Sequence, residues 1–238
     1  AAELGCRSVA FTYNDPTIFI EYAIDVAQAC REKNIKTVAV TAGYISPEPR
    51  VEFFNNIDAA NIDLKSFSDR FYKEICSARL GDILSTLEYL RFETKVWFEI
   101  TTLLIPGEND SDRELNQECE WIAKNLGFDI PLHFSAFHPD WKMMDKKATP
   151  PSTLFKARKI AKNHGLRYVY VGNVRSLNGS STYCHECGEI LIGRDWYELS
   201  TWNLTLGGHC KNCGTKCAGI FNGPPGKWGR NRQQCKIH

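Results

Sequence analysis

What this chain of 238 residues lacks narrows its function first. No apolar run approaches the roughly 20 residues that a bilayer-spanning helix needs, so a membrane-spanning role is not expected. No secretion leader opens the sequence, so its thiols are expected in a reducing compartment, the cytoplasm. Net charge is also scarce: 29 basic residues against 28 acidic ones leave +1. That balance gives no overall pull towards nucleic acid or an anionic membrane. One stretch departs from it. Residues 223–238, "GPPGKWGRNRQQCKIH", hold Lys227, Arg230, Arg232 and Lys236 and no acid, and read as a basic, disordered tail.

What is present is globular. Hydrophobic residues make up 43% and charged residues 24%, enough for one sizeable α/β domain and a small module. Ten cysteines are unevenly placed. Cys6, Cys30, Cys76 and Cys119 are scattered, mostly among apolar, helix-like neighbours, as buried free thiols are. Cys184, Cys187, Cys210, Cys213 and Cys217 crowd one short segment.

Up to Asn173 strand-like and helix-like segments alternate. The strand candidates are "SVAFTY", "KTVAVTA", "ANIDLK", "VWFEITTLLI", "PLHFSAF" and "RYVYVGN". Their near-continuous apolar character predicts a parallel sheet covered on both faces. Pro16 fits the first position of a helix whose apolar stripe is Ile18, Phe19, Tyr22, Val26, Ala29 and Cys30. Ser111 and Glu114 form a capping-box pattern ahead of Leu115, Cys119, Ile122, Ala123 and Leu126, with Gly127 as the stop. A third helix opens at Thr149-Pro150 and ends near His164-Gly165. Strands alternating with helices imply right-handed βαβ units, hence an α/β fold with an open sheet or partial (β/α) barrel over residues 1–177. In such folds ligands gather at the carboxyl ends of the strands. Those ends carry Tyr13-Asn14-Asp15, Thr41-Ala42-Gly43-Tyr44, Asp63-Leu64-Lys65, Ile105-Pro106-Gly107, His138-Pro139-Asp140 and Gly172-Asn173.

Residues 178–222 change character and read as a separate small module. Cys184-x₂-Cys187 and Cys210-x₂-Cys213 each sit on a tight turn closed by a glycine, Gly188 and Gly214. Two such knuckles complete a tetrahedral four-thiolate site, the closed geometry of structural Zn²⁺ in a zinc ribbon. An iron–sulfur cluster would use the same thiolates. His185, His209 and Cys217 read as neighbouring packing residues.

In "ANIDLKS", Asp63 and Lys65 stand two apart on a strand and so face one side. The residues alone leave three readings of the pair: a structural ion pair, a Schiff-base amine, or a clamp for a carboxylate-bearing ligand. The wider pattern carries a resemblance. "FTYNDPT", "VTAGY", "AANIDLKSFSDRFYKEIC", "TTLLIPGENDS", "FHPDWKM", "YVYVGNV" and "TYCHECGEILI" resemble the AmmeMemoRadiSam-system radical S-adenosylmethionine enzymes, which are similar to pyruvate formate-lyase-activating enzymes. The resemblance runs from about Leu4 to Phe221 and stops before the basic tail.

That resemblance implies an oxidoreductase that cleaves S-adenosylmethionine (SAM) reductively to a 5′-deoxyadenosyl radical for hydrogen abstraction. Its cofactors would be SAM and a [4Fe–4S] cluster. Its partners would be a protein substrate or system partner and an electron donor such as flavodoxin or ferredoxin. It places Asn14 and Asp15 at the SAM amino group, Lys65 at the SAM carboxylate, Asp63 beside Lys65, and Thr41 at the mouth. Thr101 and His138 would be further cofactor contacts, and Asn173 ends the last strand. Two departures stand out. Ala136 replaces an Arg of the family pattern, and the Cys-x₃-Cys-x₂-Cys loop that holds the cluster is nowhere in the sequence. The expectation is that this loop belongs to a segment ahead of "SVAFTY" in a longer parent, and that the chain as given does not cleave SAM. Two rival readings need no cluster: a lyase or aldolase using Lys65, and a non-catalytic binding module using the ribbon and basic tail on RNA or a protein.

Overall fold

The computed structural model describes residues 1–221 and 223. The basic tail expected beyond Gly223 lies outside the described residues. The chain divides into two compact units, the first Ala1–Asn173 and the second beginning at Val174.

The first unit is built on six parallel strands in consecutive order: β1 (Ser8–Phe11), β2 (Lys36–Thr41), β3 (Ala59–Asp63), β4 (Trp97–Leu104), β5 (Leu132–Ala136) and β6 (Val169–Gly172). All six expected strands form, each pairing in parallel with the next. Consecutive order with right-handed crossovers puts every connecting helix on one face of the sheet. The main connecting helices are α1 (Ile20–Glu32), α2 (Pro47–Asn55), α4 (Leu80–Glu93), α5 (Asp112–Trp121) and α6 (Pro151–Asn163), with a short α3 (Asp69–Phe71) that widens into a π-type turn through Cys76.

The helix-facing residues of the strands are the core: Ala39, Ala60, Ile62, Phe98, Ile100, Leu104, Leu132, Phe134, Val169 and Val171 are all buried. Their neighbours alternate with them at intermediate exposure. The expectation of a sheet covered on both faces is therefore corrected. One face packs under helices, and the other is a half-exposed surface carrying polar side chains.

Two helix readings also sharpen. Pro16–Phe19 forms a 3₁₀ turn before α1 begins. Three residues per turn instead of 3.6 shift the phase of the helix behind it. The buried stripe is accordingly Ala23, Ile24, Ala27 and Cys30, while Ile18 and Tyr22 are exposed. On α5, Ser111 caps as expected, its Oγ accepting from Glu114 N, and Leu115, Cys119, Ile122 and Leu126 are buried. The Glu114 side chain itself turns away to the loop after β3.

The second unit holds a three-stranded antiparallel sheet, β7 (Thr182–Tyr183), β8 (Ile190–Asp195) and β9 (Glu198–Trp202). Trp196, at φ 55°, sits in the tight turn between β8 and β9. Isolated bridges Leu204–Cys210 and His209–Lys216 extend the sheet towards the second cysteine knuckle.

A candidate cofactor face and a four-cysteine cluster

Parallel register aligns side chains across the open face of the first sheet. Asp63 pairs with Thr101, Thr101 with His133, and His133 with Tyr170, while Asn61 pairs with Glu99. A hydrogen-bonded chain crosses this face. Thr101 Oγ1 donates to Asn61 Oδ1 at 2.7 Å, and Asn61 Nδ2 donates to Asp63 Oδ1 at 3.2 Å. Lys65 Nζ then donates to Asp63 Oδ2 at 2.6 Å. Below it, His133 Nε2 meets Glu99 Oε2 at 2.7 Å, Trp97 Nε1 donates to Glu99 Oε1 at 3.4 Å, and the His133 ring stacks on Tyr170 with centroids 4.9 Å apart.

The loop that carries Lys65 is held from three directions. Lys65 N donates to the Tyr72 hydroxyl at 2.9 Å, and Asn109 Nδ2 donates to Lys65 O at 2.7 Å and to Leu103 O at 2.9 Å. Glu114 accepts from Ser66 Oγ and, at 2.9 Å, from Phe67 N. Instead of closing a reciprocal capping box, the Glu114 carboxylate thus ties α5 to the loop after β3. Burial pushes the Tyr72 hydroxyl far up, so it stays protonated. Burial also raises the Cys76 thiol, with the Lys65 charge pulling the other way. One turn along α5, Glu118 is fully buried and accepts from Thr102 Oγ1 at 2.6 Å. Burial, and secondarily the Glu114 charge, push its carboxyl up to about 8, so it is mostly protonated at neutral pH.

The remaining sequence candidates fall in different places. Asp63, Lys65 and Thr101 share the open face. Asp15 does not present a free carboxylate. Its Oδ1 accepts from Thr17 N, Thr17 Oγ1 and Thr41 Oγ1, and its Oδ2 accepts from Ala42 N at 2.8 Å. Thr41 is buried on the helix-facing side, in register with Ile62. Thr41, expected at the mouth, lies with its side chain on the helix-facing side, where Oγ1 donates to Asp15 Oδ1 at 2.8 Å. Beside it Gly43 stands at φ 69°, and a Cβ there would lie 2.9 Å from Ile62 Cγ2. Asn14 is exposed, after Tyr13 at φ 69°. His138 is exposed in the loop after β5. Asn173, left-handed at φ 59°, donates from Nδ2 to Ala136 O at 3.1 Å.

Sequence reasoning missed Asn61, Glu99, His133 and Tyr170 on the open face, and Tyr72, Asn109 and Glu114 around Lys65. A signal for Glu99 existed: Trp97, Glu99 and Thr101 alternate with Phe98, Ile100 and Thr102, the period of a half-covered strand.

In the second unit the sulfur atoms of Cys184, Cys187, Cys210 and Cys213 all lie within 4.8 Å of one another. Cys184 to Cys213 is 3.5 Å and Cys187 to Cys210 is 3.8 Å. A tetrahedral ion with bonds of about 2.3 Å to sulfur has edges of about 3.8 Å, so the donor set fits a tetrahedral thiolate-bound metal. The two knuckles repeat one design. Cys184 N donates to Glu189 O and Gly188 N to Cys184 O; Cys210 N donates to Thr215 O and Gly214 N to Cys210 O. Gly188 and Gly214 are left-handed at φ 74° and 79°, which fits glycine.

Known proteins resemble this chain. The Radical SAM superfamily pattern matches residues 1–118. An uncharacterized protein of Methanocaldococcus jannaschii is 39% identical over 217 residues, covering 91% of this chain and 64% of that protein. The 4-hydroxyphenylacetate decarboxylase activating enzyme of Clostridium scatologenes is 31% identical over 127 residues, covering 52% of this chain and 40% of that enzyme. The chain therefore spans less than two thirds of the length of either relative. Among solved structures, a domain of the pyruvate-formate lyase-activating enzyme from Bacteroides vulgatus superposes with a TM-score of 0.61 at 20% identity, covering 70% of this chain and 99% of that domain. At that identity the likeness speaks for the fold. The family match over residues 1–118 and the similarity to an activating enzyme together support an enzyme. No helix among the described residues is long and apolar enough to cross a membrane.

Proposed function

Because residues 1–118 match the Radical SAM superfamily pattern, we propose that this chain is the SAM-holding part of a cytoplasmic, activating-enzyme-like radical enzyme of the AmmeMemoRadiSam system. The observation that carries the reading is the Asp63–Lys65 pair at the carboxyl edge of a sheet whose open face is polar.

The residues fit SAM in part. Lys65 supplies a cation for its carboxylate, and Asp63 holds that ammonium in place. Thr101 and Asn61 continue the same polar track. The amino group would meet the exposed Tyr13-Asn14 turn; the Asp15 side chain is already saturated and acts by fixing that turn on β2. His138 and Asn173 border the same edge and are assigned as outer contacts. SAM, when bound, is the source of the 5′-deoxyadenosyl group in this chemistry.

The residues present do not fit a [4Fe–4S] cluster that leaves an iron open to SAM. That needs three thiolates spaced Cys-x₃-Cys-x₂-Cys, and the sequence has no such run. The four-cysteine group leaves no open position if it binds one tetrahedral ion, so we assign it structural zinc, in a ribbon. The substrate would be a partner protein, and the electron donor a small redox protein such as flavodoxin or ferredoxin.

The test is to express the complete gene product, load it anaerobically with iron and sulfide, and measure 5′-deoxyadenosine formed from SAM under reduction. Formation that is lost in Lys65→Ala supports the reading. A complete product with no Cys-x₃-Cys-x₂-Cys loop and no SAM binding overturns it.

A further inference from the structure

Arg50, on α2, is 9% exposed and has no carboxylate partner among the described residues. Its Nη1 donates to Ser85 Oγ at 3.2 Å and Thr86 Oγ1 at 3.3 Å, and its guanidinium lies 4.6 Å over the Tyr89 ring. Its Nε has no hydrogen-bond partner among the described residues. A buried charge met only by neutral groups is costly, commonly several kcal/mol before compensation. Among the described residues the groups in contact with the Arg50 guanidinium are a polarizable ring and two hydroxyls, all uncharged.

A cavity of about 180 Å³ opens beside Arg50, lined also by Tyr44, Ser46, Pro47, Arg79, Asp82 and Ser85. Two helices begin on its wall. Ser46 is the N-cap of α2 and Arg79 the N-cap of α4, and neither side chain caps its helix. Both helix N-termini lie on this wall without a side-chain cap, that of α4 with Asp82 in its first turn. Glu48 in the first turn of α2 is exposed and outside the lining. The only carboxylate in the lining is Asp82, whose Oδ2 accepts from Arg79 Nε at 2.9 Å. Arg50 and Arg79 against Asp82 leave one net positive charge, with the ring of Tyr44 and the ring of Pro47 as apolar walls.

We propose that this cavity binds the carboxylate of a small monoanionic organic acid. Arg50 is the fixed cation at its base, Arg79 a mobile one at its rim, and the serine hydroxyls of Ser46 and Ser85 complete the donor set. One net charge matches a carboxylate; a phosphate dianion would be undercompensated. The site needs neither SAM nor a cluster, so it stands apart from the radical reading. Asp82 competes with the ligand for Arg79, which gives the proposal an unusual sign: removing an acid from the pocket tightens binding.

The test is calorimetric titration of the full chain with isobutyrate, benzoate and inorganic phosphate at constant ionic strength. Expected is saturable binding of at least one carboxylate with a dissociation constant on the order of 1 mM. Arg79→Gln should weaken it about tenfold, as loss of a charge-assisted contact does, and Asp82→Asn should tighten it. Arg79 and Asp82 lie at the rim, so these variants keep the fold, checked by circular dichroism; Arg50→Lys provides the buried counterpart. Absence of saturable carboxylate binding overturns the proposal. So does phosphate binding tighter than either acid, or an affinity that Arg79→Gln and Asp82→Asn leave unchanged.

Discussion

Lys65 Nζ lies 2.6 Å from Asp63 Oδ2, and the backbone of Lys65 is bonded on both sides, to the Tyr72 hydroxyl through its N–H and to Asn109 through its carbonyl. The side chain is half-exposed while its anchor is buried. An ion pair of that exposure contributes about 1 kcal/mol or less to stability, so its worth is positional.

Replacing Lys65 by Ala should therefore separate binding from stability. SAM affinity is expected to fall about tenfold or more, the usual cost of losing a charge-assisted hydrogen bond, with little change in the urea midpoint. Equilibrium binding and denaturation on the same variant check both. Unchanged affinity would remove Lys65 from the cofactor site.

Asp15 should behave in the opposite way. Its carboxylate accepts four hydrogen bonds, two of them from Thr41 and Ala42 across the gap between β1 and β2. Asp15→Ala leaves those donors unpaired and is expected to cost about 1–3 kcal/mol, read as a lower urea midpoint. Asp15→Glu should recover only part of this, because the longer arm cannot reach Thr17 N and Ala42 N from the same backbone.

Asn109 is 2% exposed and satisfies three backbone groups: Ile105 N, Leu103 O and Lys65 O. Asn109→Ala is expected to destabilise by about 2–3 kcal/mol, since buried polar groups lose their partners. It should also speed amide exchange at residues of the loop after β3. Loss of stability without loosening of that loop would show that Asn109 acts on its own turn alone.

Glu118 predicts a pH dependence. Its carboxyl is raised from 4.5 to about 8 by burial. Between those values the folded chain holds a proton that the unfolded chain has released. Its contribution is therefore complete below the unfolded value and falls as pH rises towards the folded one, by up to about 1.4 kcal/mol per pH unit. Urea denaturation across that window should show the slope in the parent protein and a flatter one in Glu118→Gln, which keeps an acceptor for Thr102.

Metal removal tests the cysteine cluster. One ion per chain is expected, with Cys210→Ser losing it and opening the second unit to hydrogen exchange, because thiolate binding energy is also folding energy. Elemental analysis separates zinc from iron accompanied by acid-labile sulfide. A chain that binds neither metal stoichiometrically would overturn the assignment.

The element order, the parallel sheet and the cysteine knuckles were legible in the sequence because each depends on chain neighbours. Strand and helix periods, cap residues, glycines after Cys-x-x-Cys and the two-residue spacing of Asp63 and Lys65 are all local. What was not legible depended on partners far along the chain. Asp15 accepts from Thr41 and Ala42, 26 and 27 residues away, and Lys65 is held by Asn109 at a separation of 44. The burial phase of α1 turned on one 3₁₀ turn, which no apolar stripe announces. Composition could not say which face of the sheet the helices cover. That is set by consecutive strand order and right-handed crossovers, and it leaves Asn61, Glu99, His133 and Tyr170 together on the open face. The sequence by itself determined which groups were available; strand register and the one-sided helix layer decided which of them meet.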